Sequence, residues 1–217
     1  MRRDELLDFA DTVKGFMPRN EGLALYRAAL EHGGENKTWL EVGAWCGKSA
    51  VYLGCAAQER GAVLYSLDHH HGSEENQPGW EHFDATLVDP VDGRLNTLPT
   101  WQRTIAEAGL EDTVIGLVGP SSVVAAHFAQ PLEVLFIDGG HGHDVAWADY
   151  EAWTPKVVTR GLLLIHDVFE DPRDGGRPPY EIYLAARSSG RFEDVAREGS
   201  LRVLRRVEGG EGTTGLG

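Results

Sequence analysis

The chain has 217 residues, 34 acidic against 20 basic, for a formal net charge of −14. Such a surface repels a phosphate backbone and argues against nucleic acid as substrate or partner. It attracts cationic ligands and divalent metals, although good solubility alone would account for it equally well. Hydrophobic residues are 41% of the chain, which suits one domain with a sizeable core, and the apolar runs are strand-sized, so no membrane partner is expected.

The N-terminal stretch MRRDELLDFADTVKGF reads as an amphipathic helix and lacks the apolar centre of a signal peptide, which makes the cytoplasm the expected compartment. Leu6, Leu7, Phe9, Ala10 and Val13 recur at helical spacing. The segment GFMPRN breaks that pattern. A second helix is expected over residues 21–32, stopped by Gly33 and Gly34. A strand at 38–42 runs into Gly43, a helix follows over 47–60, and a strand at 62–67 ends at Asp68. Cys46 and Cys55, nine positions apart with Cys46 at the edge of this expected helix, would lie about 13 Å from each other at helical rise, too far for a disulfide.

Residues 69–100 interrupt the rhythm. A stretch this long without regular structure is uncommon and reads as a lid, or else as a surface excursion. Regular elements return as a helix at 101–108, a strand at 113–118, a helix at 122–128, a strand at 132–137 ending at Asp138, a helix at 145–153 and a strand at 161–165 ending at His166 and Asp167. A last helix is expected at 181–188, then a hairpin from 192–195 and 201–204. The organisation expected is a helical cap over 1–36, a core over 37–207 and a disordered Gly-rich tail over 208–217.

Strands alternating with helices imply an α/β fold, doubly wound around a mostly parallel sheet. Ligands in such sheets sit at the carboxyl ends of the strands. The polar clusters fall at those ends: Gly43, Asp68, Gly119-Pro120-Ser121, Asp138 and His166-Asp167.

The first of these lies in TWLEVGAWCGKSAVYL, where Gly43 allows a sharp turn and close ligand approach, and the helix after Gly47 presents free amides. GAWCGKS is one residue short of a phosphate-binding P-loop. The dinucleotide fingerprint is missing too, because Ala44 and Trp45 stand where its middle glycine belongs, and Trp45 would obstruct a pyrophosphate. S-adenosylmethionine carries no phosphate, and Glu41 could face its amino group or sulfonium. Asp68, 21 residues after Gly47, can accept from both ribose hydroxyls; the plain alternative is a solvated strand end.

The motif E-V-G-x-x-x-G-x-S (Glu41, Gly43, Gly47, Ser49), a strand ending in Asp68, LFIDGGH and LLLIHDV together resemble a class I S-adenosylmethionine-dependent methyltransferase over roughly residues 37–168. More narrowly they resemble the metal-dependent O-methyltransferases of the macrocin O-methyltransferase and cephalosporin hydroxylase-like group. The usual central glycine of the first motif is absent here. The resemblance implies a seven-stranded Rossmann-like sheet, S-adenosylmethionine as cofactor, magnesium, a small-molecule or oligosaccharide hydroxyl as acceptor, and a homodimer. Glu41, Gly43, Gly47, Ser49, Asp68, His69, Ser121 and Asp138 are the expected cofactor contacts.

Asp138 and Asp167 end strands expected to be neighbours, about 4.8 Å apart, so both carboxylates can reach one hard cation. His166 and Asp167 ordinarily point to opposite faces, and Asp167 is the preferred ligand; His166 joins only if the strand has already twisted out. His141 follows Asp138 by three residues and can take a proton from an alcohol, the role the resemblance implies; a helix-capping surface histidine is the alternative. His143 and Asp144 are expected to cap or to stand behind the site. HGHD is too short for a two-zinc hydrolase pattern. His70, His71, Glu74, Glu75 and Trp80 are candidates for the acceptor side, though each could equally be a solvated lid residue. Two other classes remain open: a nicotinamide-dependent oxidoreductase, and a non-catalytic binding protein on the same fold.

Overall fold

The computed structural model describes residues 1–34, 37–80, 82–140 and 142–207. His141 and the expected disordered tail, 208–217, lie outside the described residues. One sheet holds β1 (Thr38–Val42), β2 (Val63–Asp68), β3 (Val114–Val118), β4 (Leu132–Ile137), β5 (Val157–Ile165), β6 (Phe192–Glu198) and β7 (Leu201–Arg206), in the order β3-β2-β1-β4-β5-β7-β6. The pairings from β3 through β5 are parallel, whereas β7 runs antiparallel to both β5 and β6.

The helices are α1 (Arg3–Thr12), α2 (Arg19–His32), α3 (Lys48–Arg60), α4 (Leu98–Ala108), α5 (Ser121–His127), α6 (His143–Trp153) and α7 (Pro178–Ser188). Successive strand residues point to opposite faces and feed two cores. Trp39, Leu64, Val134, Phe136, Leu162 and Leu164 pack with α1 to α4. Leu40, Val42, Leu67, Leu135, Leu163 and Ile165 pack with α5, α6 and α7. Burial on both faces explains why these strands are continuously apolar. No described helix is long and apolar enough to cross a membrane.

Several element boundaries differ from the sequence expectation, two of them for clear local reasons. Helix α4 begins at Leu98, because Pro99 in its first turn has no amide to waste there. Strand β5 begins at Val157, not 161. Leu132 pairs with Val157 and Val134 with Leu162, so the strand carries an irregularity across residues that read as polar loop. Cys46 and Cys55 are both free and buried, and Cys46 precedes α3.

The interruption after β2 is fastened down. His70 Nδ1 lies 2.7 Å from Thr97 Oγ1, and His71 Nδ1 lies 2.9 Å from the Leu95 carbonyl. Leu87 and Leu95 bury against Cys46. Lys14 from the α1–α2 connection reaches Asp84 at 2.5 Å. His70 and His71 therefore anchor this segment from inside and do not face the cavity described below, which corrects their expected place on the acceptor side.

The chain winds outward in two directions from β1 and β4, which makes their carboxyl ends the topological switch point. Gly43 leaves β1 at φ +95°, and a Cβ there would overlap the carbonyl of Asp138 at the end of β4. Gly43→Ala is therefore expected to destabilise the fold by at least about 2 kcal/mol in urea unfolding, from backbone strain and overlap together. A loss under about 0.5 kcal/mol would show that the two strand ends are not locked in this approach.

Candidate active site

The β1–α3 turn is held by a carboxylate. Asp68 Oδ2 accepts from the amides of Ala44 at 3.0 Å and Trp45 at 2.8 Å, and Oδ1 accepts from the His70 amide at 2.7 Å. These bonds let Trp45 sit at φ +46°, a conformation that a bulky residue adopts only when its surroundings enforce it. Asp68 stays partly exposed and lines a cavity of about 530 Å³ together with Gly43, Ser49, His69 and Ser121.

Two expected cofactor contacts stand elsewhere. Glu41 is fully buried beneath the turn, where it accepts from Ser49 Oγ at 2.8 Å and Ser66 Oγ at 2.5 Å. It supports the turn from below and does not line the cavity. Burial pushes its carboxyl up to about 7; the charges of Asp138 and Asp68 add to this, while the two serine hydroxyls oppose it. Gly47 caps α3 in the left-handed region with Trp101 and Thr104 behind it, so it shapes the turn without facing the cavity.

The ends of β4 and β5 make the second half. Ile137 pairs with Ile165, which sets Asp138 and His166 side by side. Strict alternation would then carry Asp167 to the opposite face. The residue adopts φ +54° instead, a left-handed conformation that aspartate tolerates better than most side chains. The alternation breaks, and Asp138, His166 and Asp167 each offer a ligand atom within 4.8 Å of the others. His166 and Asp167 therefore both turn toward Asp138, the arrangement expected only if the strand has already twisted out.

His166 is nearly buried, with Nδ1 3.1 Å from Asp138 Oδ1 and 3.4 Å from Asp167 Oδ1, and Nε2 2.5 Å from Glu21 Oε2. Burial by itself would lower its pKa, but Asp138, Asp167 and Glu21 outweigh this and raise it well above the ordinary value. Two carboxylates and one imidazole nitrogen converging from adjacent strand ends form a donor set that fits a divalent cation.

The cavity is also lined by residues that sequence reasoning missed. Asp149 of α6 is buried beneath Gly139. Burial raises its carboxyl to about 6, aided by the charge of Asp68 and opposed by the Ser121 hydroxyl. The GFMPRN segment reads as mere punctuation, yet Gly15, Phe16 and Met17 form part of the cavity wall. Phe16 is 58% exposed there, with its ring 5.8 Å from Trp45 and 4.8 Å from His82. Among the lid candidates, Glu74 and Glu75 line the cavity, whereas Trp80 is 55% exposed and stands away from it. Gly140 and Gly142, on either side of His141, also face the cavity, as does Asp144, while His143 stands apart near Glu181.

A family model described as "Methyltransferase domain" matches residues 40–168 of this chain. Among solved structures, the O-methyltransferase NovP superposes with a TM-score of 0.67 at 18% identity, covering 95% of this chain and 98% of that one. The S-adenosylhomocysteine-bound methyltransferase PaMTH1 of Podospora anserina gives 0.64 at 13% identity, with 95% and 88% covered. The calicheamicin methyltransferase CalS11 gives 0.58 at 16%, with 94% and 80% covered. At these identities the superpositions establish a shared fold.

Glu41 supplies a test of the turn. Its carboxyl, raised from 4.5 to about 7, binds its proton more tightly in the folded chain than in the unfolded one. The associated stability is complete below about pH 4.5, falls as pH rises to about 7, and is flat above. Glu41→Gln mimics the protonated form. Relative to the wild type it is expected to gain on the order of 3 kcal/mol in urea unfolding between pH 4.5 and pH 8. A difference between the two proteins that does not change with pH would place the Glu41 carboxyl in contact with water.

Proposed function

Since this chain belongs to the methyltransferase-domain family, we propose that it moves a methyl group from S-adenosylmethionine to a hydroxyl oxygen of a sugar or sugar-containing small molecule, assisted by a divalent cation, with magnesium the first candidate. The observation that carries this reading is the continuity of one cavity from the Gly43 turn and Asp68 to Asp138, His166 and Asp167. A donor at the first place and a hydroxyl at the second would meet across the β1–β4 switch point.

Several features favour the sulfonium donor over a phosphate-bearing cofactor. Trp45 lines the cavity where a pyrophosphate would need bare backbone. The walls carry Asp68, Asp138, Asp149 and Asp167, and acidic surroundings suit a cation. Asp68 spends part of its hydrogen-bonding capacity on the turn, and the rest suits ribose hydroxyls. NovP and CalS11 are named for methyl transfer, NovP to oxygen, in keeping with this direction. A nicotinamide-dependent oxidoreductase fits neither the family nor the turn.

In the proposed reaction the acceptor oxygen attacks the methyl carbon in line with the carbon–sulfur bond. An oxygen–carbon bond forms, the carbon–sulfur bond breaks, and the electron pair neutralises the sulfonium as S-adenosylhomocysteine leaves. The hydroxyl proton goes to His141, the neighbour in sequence of Gly140 and Gly142. A cation held by Asp138, Asp167 and His166 would make the hydroxyl more acidic. Glu74 and Glu75 would accept from sugar hydroxyls, and the exposed Phe16 ring would stack on a sugar face. Holding the two reactants in one cavity supplies proximity, independent of acid–base help.

Thermal denaturation with S-adenosylmethionine or S-adenosylhomocysteine, in magnesium or in EDTA, tests the binding half. A stabilising shift from each ligand is expected, with a separate contribution from the metal. No shift with either adenosyl compound would end the reading. For the chemical half, His141→Ala is expected to bind cofactor as the wild type does while turnover falls about 100-fold or more. Turnover near the wild-type rate would remove His141 as the base.

A further inference from the structure

The cation site of the proposed function has an outer support that comes from the second N-terminal helix, 145 positions away in sequence. Glu21 lies in the first turn of α2, distant in sequence from every strand end, yet it is only 5% exposed. Its Oε2 meets His166 Nε2 at 2.5 Å. Ser200, in the turn between β6 and β7, donates its amide to Oε1 at 2.7 Å and its hydroxyl to Oε2 at 3.0 Å. Gly199 beside it has φ +50°, and a Cβ there would overlap Glu21 Oε1. The turn thus has a glycine where the carboxylate must pass and a serine where it must be gripped.

A carboxylate in such a place has one consequence for the imidazole. It accepts only, so the hydrogen on His166 Nε2 stays there. Nδ1 points between Asp138 and Asp167, to which it donates until a cation takes the place of its proton, and the neutral tautomer that then remains is the one protonated at Nε2. Metal-bound histidines are commonly oriented by such a carboxylate on the remote nitrogen, which also raises their donor strength. We propose that Glu21 is a positioning residue that presents His166 Nδ1 as a nitrogen ligand to the cation, making the N-terminal helix part of the metal centre.

This rests on the cation reading above and extends it. A nitrogen donor also changes the metal preference. Magnesium favours oxygen, whereas manganese accepts imidazole readily. The wild type should therefore prefer Mn²⁺ over Mg²⁺ by a wider margin than His166→Asp, in which three oxygens would remain.

Glu21→Gln is a pointed variant because Ser200 fixes how the amide sits. The Ser200 amide requires an acceptor at Oε1, which leaves the NH2 facing His166 Nε2. That NH2 must donate, so the ring proton moves to Nδ1 and the ligand lone pair is lost. The side chain keeps its size.

The experiment is Mn²⁺ titration of the S-adenosylhomocysteine-loaded protein, with pulsed electron paramagnetic resonance on the bound ion. The wild type is expected to show nitrogen-14 modulation from a directly coordinated imidazole. His166→Asp should bind Mn²⁺ without that modulation. Glu21→Gln, with its fold checked by circular dichroism, should lose the modulation and bind Mn²⁺ about 10- to 100-fold more weakly. Wild-type protein that binds Mn²⁺ with no nitrogen signal, or Glu21→Gln that matches the wild type, overturns the inference and leaves the cation reading standing. No Mn²⁺ binding by the wild type overturns both. The wild-type and His166→Asp spectra decide the nitrogen ligand even if Glu21→Gln fails to fold.

Discussion

The site depends on how closely the chain can bring the ends of β1 and β4 together. Gly43 turns directly against the Asp138 carbonyl, and no side chain fits between them. Everything on the β1 side, including the Asp68-bound turn and the start of α3, is thereby fixed relative to everything on the β4 and β5 side. A donor pocket and an acceptor pocket built on separate loops would drift by more than a methyl transfer tolerates. Built on adjacent strand ends of a sheet buried on both faces, they share one rigid frame.

Gathering carboxylates at one sheet edge carries an electrostatic cost in a chain of net charge −14. Each is handled differently. Asp68 accepts from three backbone amides. Glu41 and Asp149 are buried deeply enough to be raised to about 7 and about 6. Asp138, Asp167 and Glu21 surround His166. A sulfonium donor and a divalent cation are ligands that such an edge would accept more readily than a phosphate.

Much of this was legible in the sequence because it follows from short periodicities. Continuous apolar strands ending in Gly43, Asp68, Asp138 and His166-Asp167 announce a parallel sheet and its ligand edge. Other features depend on a single dihedral or on a long-range contact, which no local pattern records. The left-handed turn at Asp167 brings it beside His166, where alternation separates them. Glu21 is, in the sequence, only the first residue of the expected second helix, and only the passage of α2 past Gly199 and Ser200 reveals its task. Glu41 shows the reverse case. Its motif was plain, but its side chain points down at two serines, one of them 25 residues away, and not up at a ligand. The histidines after Asp68 and the aromatic lid likewise divide between anchors (His70, His71) and solvent (Trp80), a division that requires the tertiary contacts.

The central claim is that a methyl donor and a bound cation occupy one cavity within reach of each other. Nuclear magnetic resonance of S-adenosylmethionine labelled with carbon-13 in its methyl group, bound to the protein while Mn²⁺ is added, measures that proximity directly. The account requires the methyl resonance to broaden severely as the paramagnetic ion fills its site, and to recover with EDTA. A methyl line that stays sharp with Mn²⁺ at saturation would contradict it.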